Sequence, residues 1–128
     1  MPSFKIVTAL LALAFTATAA PVAEEPSFTI EAAQESGDLT YFTPGLGACG
    51  WQSKSSDYIV AISSQIWANR GHCGKHIKVH YGSRTIDVTV VDECPGCSAG
   101  SLDLSPSAFQ AVVGSLGPGR VHATWNWA

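Results

Sequence analysis

Two aspartates stand at either end of a short, turn-rich segment in the second half of the chain. Asp92 follows an alternating apolar run, and Asp103 lies between two leucines just before a helix start. Pro95-Gly96 and the small residues after Cys97 favour turns between the two acids. One loop therefore ties together two carboxylates, a pair that could carry acid or base chemistry on a sugar bond.

The spacing of these carboxylates decides which reaction is open to them. Hydrolysis of a glycosidic bond normally needs two carboxyls about 5 Å apart for retention, or ~6.5 to 9.5 Å apart for inversion. Asp92 and Asp103 are therefore candidate catalytic residues if the loop folds back. A single aspartic acid with a raised pKa could still protonate a leaving oxygen, or it could hydrogen-bond a sugar hydroxyl without cleavage. A structural role is equally open to Asp92, which could cap amides of the CPGC turn.

The elements that position these acids follow from local patterning. Arg84–Val91 alternates apolar and polar residues and predicts a strand that ends at Asp92. Ser105-Pro106 opens a helix that ends near Gly114. Further strands are predicted over 38–42, 57–63, 76–81 and 120–127, with a short helix over 64–69. Five or six short strands in so small a domain favour an all-β fold, closed into a barrel, over an open sheet.

The first residues differ in composition from the rest. Lys5 precedes an apolar run that ends in small residues, which predicts a signal peptide over 1–19 and a secreted protein. This run is shorter than the ~20 residues that a membrane span needs. An acidic arm follows over 20–36, and the remaining residues, 37–128, form one small domain.

The charge of this domain restricts its partners. Residues 37–128 carry six acidic and six basic side chains and are formally neutral. Nucleic acids and anionic membranes attract a basic face, so both are unexpected partners. A neutral polymer or another protein fits better, and we expect a monomer without a cofactor.

Four cysteines stand in the domain: Cys49, Cys73, Cys94 and Cys97. Small secreted domains often need disulfides because their cores are thin, and four cysteines allow three pairings. The spacing of Cys73 and His76 with Cys94 and Cys97 also resembles a zinc site. An oxidising compartment favours disulfides over a metal.

Five segments in order resemble the double-psi β-barrel of the expansin, barwin and rare-lipoprotein-A-like superfamily. They read GDLTYFTPGLGACGW, HCGKHIKV, VTVVDECP, SLDLSPSAF and VHATWNW, and they cover residues 37–128. The chain resembles in particular the single-domain expansin-like proteins of fungi. The resemblance implies a six-stranded barrel stapled by Cys49–Cys73 and Cys94–Cys97.

The same resemblance assigns roles to site residues. In expansin-like proteins the positions of Thr40, Tyr41, Asp92 and Asp103 line one polysaccharide groove. Proteins of this kind loosen cell walls without measurable bond cleavage, whereas lytic transglycosylases of the superfamily use the Asp103 position as an acid. Trp51 follows the glycine-rich loop and could stack on a sugar or wedge beneath that loop. The resemblance therefore implies a secreted protein that binds a glucan or chitin-type wall polysaccharide.

A second function class stays open. Some small barrels of this superfamily inhibit cysteine proteases such as papain or act in defence. An inhibitor would present a rigid loop, for instance 44–51 or 94–101, to a protease cleft. Such a role would not need Asp103.

Overall fold

A computed structural model describes residues 33–128, which fold into six strands and one helix. The predicted signal peptide over 1–19 and most of the predicted arm over 20–36 lie outside the described residues. The strands are β1 Glu35–Tyr41, β2 Ile59–Ser63, β3 His76–Tyr81, β4 Arg84–Cys94, β5 Leu102–Leu104 and β6 Val121–Trp127, and helix α1 spans Pro106–Val113. Among residues 33–128, no helix combines the length and apolarity that a membrane crossing requires.

The six strands close into a barrel with the order β1-β5-β2-β4-β3-β6. β1 pairs in parallel with β5 and antiparallel with β6, and β2 pairs in parallel with β4. The prediction of an all-β, six-stranded barrel is confirmed. Closure leaves the barrel without a free edge, which small β proteins otherwise have to protect.

Strand alternation produces the core of the barrel. Leu39, Val60, Val88 and Val90 point inward and are fully buried. Phe109 and Val112 of α1 cover one side of the same core, and the predicted cap at Ser105 accepts from the Ala108 amide. Trp125 is also buried.

Several elements differ from the sequence prediction, among them the strand β5, which was not predicted. β1 begins at Glu35, two residues inside the predicted arm, because Glu35 and Ser36 pair with β6. β4 continues past Val91 to Cys94, where it still pairs with β2. The helix predicted over 64–69 is wrong: these residues form turns, and the left-handed backbone at Ala68, with φ 53°, is incompatible with a right-handed helix.

The four cysteines form two disulfides. Cys49 bonds to Cys73, and Cys94 bonds to Cys97. Both pairings match those implied by the family resemblance. The zinc alternative is wrong because it needs free thiolates, and both disulfides consume them.

Candidate functional site

A row of outward-facing side chains crosses four neighbouring strands of the barrel. Thr40 of β1 is in register with Asp103 of β5, and Asp103 is in register with Ala61 of β2. Ala61 is in turn in register with Asp92 of β4. Register partners share a face of the sheet, so the two acids flank Ala61 on the same surface. Two strand spacings of about 4.8 Å separate their backbones.

A β-bulge in β4 puts Asp92 in this row. Val90 pairs with Val60, but the next pair is Ala61 with Asp92, so Val91 is an extra residue. Simple alternation would send Asp92 into the core with Val88 and Val90. The bulge turns Asp92 to the outer surface instead, a function for which bulges are often used near active sites.

A surface cavity of about 350 Å³ lies at the Asp103 end of the row. Thr40, Tyr41, Asp103 and Arg120 line it, together with Ser98, Ser101 and the Cys94–Cys97 disulfide. Its volume falls in the range of small-ligand sites. The polar hydroxyls and the one aromatic ring suit a sugar better than an apolar ligand.

Asp103 is the acid of this cavity. Its Oδ1 accepts a hydrogen bond of 2.9 Å from the Thr40 hydroxyl, and its side chain is half-buried. Burial raises the pKa of Asp103 above its ordinary value, although the Thr40 hydrogen bond and the charge of Arg120 oppose that rise. The nearby charge of Asp92 raises the pKa of Asp103 further, by a smaller amount. Asp103 is thus the carboxyl whose proton is held more tightly than usual.

The raised pKa of Asp103 predicts a pH-dependent stability. Above the ordinary pKa of 3.8, the native state keeps this proton where the unfolded chain has lost it. Stability therefore falls as pH rises from 3.8 through the raised value. We expect Asp103→Asn to increase the free energy of unfolding, relative to wild type, by more at pH 7 than at pH 3. Urea unfolding of both proteins at both pH values measures this difference. An equal change at both pH values would contradict this assignment.

Asp92 is held by backbone amides. Its Oδ1 accepts hydrogen bonds of 2.8 Å from the Ala48 amide and from its own neighbour Glu93. Of these two amides, neither lies within the CPGC turn; the Ala48 amide belongs to the glycine-rich loop. Asp92 therefore fixes that loop against β4, and it also belongs to the row of outward-facing side chains.

Tyr41 and Arg120 are held in place at the cavity rim. The Tyr41 ring packs on Phe109 with centroids 4.9 Å apart, and its hydroxyl donates to the Leu116 carbonyl. Arg120 donates a hydrogen bond of 3.0 Å to Asp38. Both side chains are therefore fixed in position where they line the cavity. Sequence reasoning missed Arg120, because a lone arginine after a turn carries no local signal.

Trp51 does not line the Asp103 cavity. Its exposed ring lies against Gly74, beside the Cys49–Cys73 disulfide. The structure thus groups Thr40, Tyr41 and Asp103, places Asp92 in the same row, and leaves Trp51 on a separate loop. Trp51 is a poor candidate for the same sugar.

The loop that carries Trp51 spans residues 43–53 and is rigid. Leu46 and Gln52 form an isolated antiparallel β-bridge, and the Cys49 amide donates a hydrogen bond to the Val91 carbonyl. A Cβ on Gly47 would lie 2.3 Å from the Val91 carbonyl oxygen, so this close approach needs glycine. The tip residue Leu46 is 73% exposed, so its side chain is accessible to a partner.

This chain is similar in sequence to several known proteins. No family model matches it. It is 40% identical over 100 residues to the papain inhibitor of Streptomyces mobaraensis, covering 71% of this chain and 69% of the inhibitor. It is 30% identical to an EG45-like domain containing protein of Citrus jambhiri, covering 72% of this chain and 80% of that protein. The chain spans only 38% of an allergen homolog of Arthroderma benhamiae, to which it is 29% identical.

Solved structures show the same likeness in three dimensions. The Streptomyces papain inhibitor superposes with a TM-score of 0.69 at 36% identity, covering 75% of this chain and 94% of the inhibitor. A mutant Clavibacter michiganensis expansin in complex with cellohexaose also gives 0.69, at 27% identity. That match covers 75% of this chain and half of the expansin.

Proposed function

Because this chain belongs to the expansin-like double-psi β-barrel superfamily, we propose that it is a secreted protein that binds and loosens cell-wall polysaccharide through the Asp103 cavity. The observation that carries the proposal is the row of Thr40, Asp103 and Asp92 beside a cavity with polar walls. The expansin solved with cellohexaose supports a glycan as the ligand class.

Binding without hydrolysis is the activity that this geometry favours. The Oδ1 atom of Asp92 accepts two backbone amides, so that oxygen is occupied in positioning a loop. We therefore expect Asp103 to act as a hydrogen-bonding group for a sugar hydroxyl, while Asp92 serves mainly to position the loop. The raised pKa of Asp103 also keeps open the acid role that a transglycosylase would need.

A binding screen tests the proposal. The purified protein is incubated with cellulose, chitin, xyloglucan and peptidoglycan at low and high salt, and the bound fraction is measured. We expect weak binding to a neutral glycan that salt hardly changes, because residues 37–128 carry six acidic and six basic side chains. Affinity for heparin or DNA that falls steeply with salt would instead indicate an electrostatic partner.

Inhibition of a papain-type protease is a second candidate function. It is favoured by the papain inhibitor of Streptomyces mobaraensis, which is more similar in sequence to this chain than the expansin is. The match to the Streptomyces inhibitor covers nearly all of that protein's solved chain. The rigid loop over 43–53 presents Leu46 to solvent, and a pre-formed loop loses little entropy on entering a cleft. This loop is separate from the Asp103 cavity, so the two activities can be tested apart.

Leu46→Asp is expected to weaken papain inhibition by tenfold or more. An exposed apolar side chain at a loop tip is a suitable anchor, and burying a carboxylate in its place is costly. The inhibition constant for papain is measured for this variant and for Asp103→Asn. The glycan affinity of Leu46→Asp should stay unchanged, as should the papain inhibition of Asp103→Asn. Equal inhibition by wild type and Leu46→Asp would exclude this loop as the inhibitory surface.

A further inference from the structure

One end of the barrel carries two neighbouring hollows that lie apart from the Asp103 cavity. Their volumes are about 410 and 720 Å³, and His72 and Trp127 line both. Trp127 is the last residue of β6, and Glu35, the first residue of β1, lines the smaller hollow. Both volumes fall in the range of small-ligand sites.

The wall between the hollows is aromatic. The His72 and Trp127 rings stack with centroids 4.4 Å apart, and Trp125 meets Trp127 edge-on at 5.5 Å. Nδ1 of His72 is buried and has no hydrogen-bond partner among the described residues. Burial, together with the charge of Lys75, lowers the pKa of His72 below its ordinary value. A buried polar atom without a partner is rare in a native fold and calls for a functional explanation.

The segment that covers the smaller hollow is strained. Ala68, Asn69 and Arg70 all have positive φ values, of 53°, 49° and 69°, and Ala68 lines the hollow. Residues other than glycine adopt this left-handed backbone only at an energetic cost, which is smaller for asparagine. Strain of this kind concentrates at ligand sites, where function outweighs local stability.

The polar groups around the wall indicate the class of ligand. Glu35 and Gln65 border one hollow, and Lys75 and Asp87 border the other. A pyranose ring has apolar C–H faces and hydroxyls at its edge, which suit an aromatic wall with hydrogen-bonding groups of both kinds around it. Charged side chains of opposite sign also favour a neutral ligand over an ion.

We propose that the hollows beside Trp127 form a second saccharide-binding site at the end of the barrel. Ala99 lines the smaller hollow, while the neighbouring Ser98 and Ser101 line the Asp103 cavity. Both sites therefore border one loop, and a single domain can engage a wall polymer at two places. The ligand class of this site rests on the proposed function, whereas its location does not.

Amide and indole NMR of the ¹⁵N-labelled protein tests the site. Cellohexaose and chitohexaose are titrated into wild type and Asp103→Asn. We expect the Trp127 indole to shift at the same ligand concentrations in both proteins, and the Thr40 amide to need at least tenfold more ligand in Asp103→Asn than in wild type. Shifts near Thr40 without any at Trp127 would overturn the second site and leave the proposed function standing. Shifts at Trp127 alone in both proteins would support the second site and overturn the role of Asp103. Absence of any shift in both proteins would overturn both proposals.

A matched pair of variants separates binding from folding. Gln65→Ala removes an exposed amide of the smaller hollow, and Gln110→Ala removes an exposed amide on α1. We expect the affinity read at the Trp127 indole to fall about three- to tenfold in the first variant alone, as for loss of one hydrogen bond. Equal affinities in the two variants would overturn the assignment of Gln65 to the site.

Discussion

Replacement of Asp103 by asparagine is expected to lower the affinity for the wall glycan by tenfold or more. Asparagine keeps an oxygen that can accept from the Thr40 hydroxyl, so the row of side chains is preserved. The variant loses the carboxyl group, and with it the hydrogen bonds that a charged carboxylate could make to the glycan. Hydrogen bonds to charged groups contribute about 1.5 to 3 kcal/mol, which corresponds to a loss of roughly tenfold to a hundredfold.

The measurement is a binding isotherm on whichever glycan the screen identifies, with wall loosening measured in parallel. Asp57→Asn is the matched control, because Asp57 accepts from the Lys54 amide and does not line the cavity. Thermal unfolding of each variant verifies that the fold is intact. Unchanged binding by a folded Asp103→Asn protein would remove Asp103 from the site.

Gly100→Ala is expected to destabilise the barrel by about 3 kcal/mol, the upper part of the usual range for overpacking. A Cβ at Gly100 would lie 1.9 Å from the Ser36 carbonyl oxygen, and Ser36 is paired with Thr124 of β6. The Gly100 carbonyl also accepts the indole hydrogen bond of Trp125, at 2.8 Å. One methyl group would therefore disturb both a strand of the barrel and its buried tryptophan.

Thermal unfolding with the disulfides intact measures this effect, and the melting temperature should fall by more than about 10 °C. Gly96→Ala provides the control within the same loop, since a Cβ there meets no atom within 4 Å. That variant should be neutral or slightly more stable, because alanine restricts the unfolded chain. Similar melting temperatures for the two variants would show that the Gly100 contact is not tight.

Local patterning predicted the elements that depend on neighbouring residues. The hairpin of β3 and β4 appeared where Gly82-Ser83 separates two alternating runs. The helix after Ser105 also formed as its cap and proline indicated. Both elements need only short-range information, which a single sequence contains.

Long-range pairing explains what local patterning missed. β5 has only three residues, which are too few to show an alternation of apolar and polar side chains. It is a strand because β1 and β2 pair with it on either side. The bulge at Val91 likewise exists only relative to β2. Its effect on Asp92 decides which surface that acid reaches, so the family resemblance placed Asp92 better than alternation could.

The positions of the candidate site residues depend on long-range pairing for the same reason. Thr40, Tyr41 and Asp103 came from the motif resemblance, and the structure groups them around one cavity. Trp51 lies elsewhere because its loop is tied to Val91 and the Cys49–Cys73 disulfide. Arg120 enters the cavity only because β6 lies beside β1. Neither placement can be read from neighbouring residues.

The hydrogen bond from Ala48 to Asp92 has an evolutionary consequence. Selection for either of the proposed activities, glycan binding or protease inhibition, would retain Asp92. This aspartate supports the loop that bears Leu46, and it also belongs to the row of outward-facing side chains that contains Asp103. Leu46 and Asp103 are under no such shared demand and can diverge independently. In a descendant of this protein, those two positions, and not Asp92, would reveal which activity had been kept.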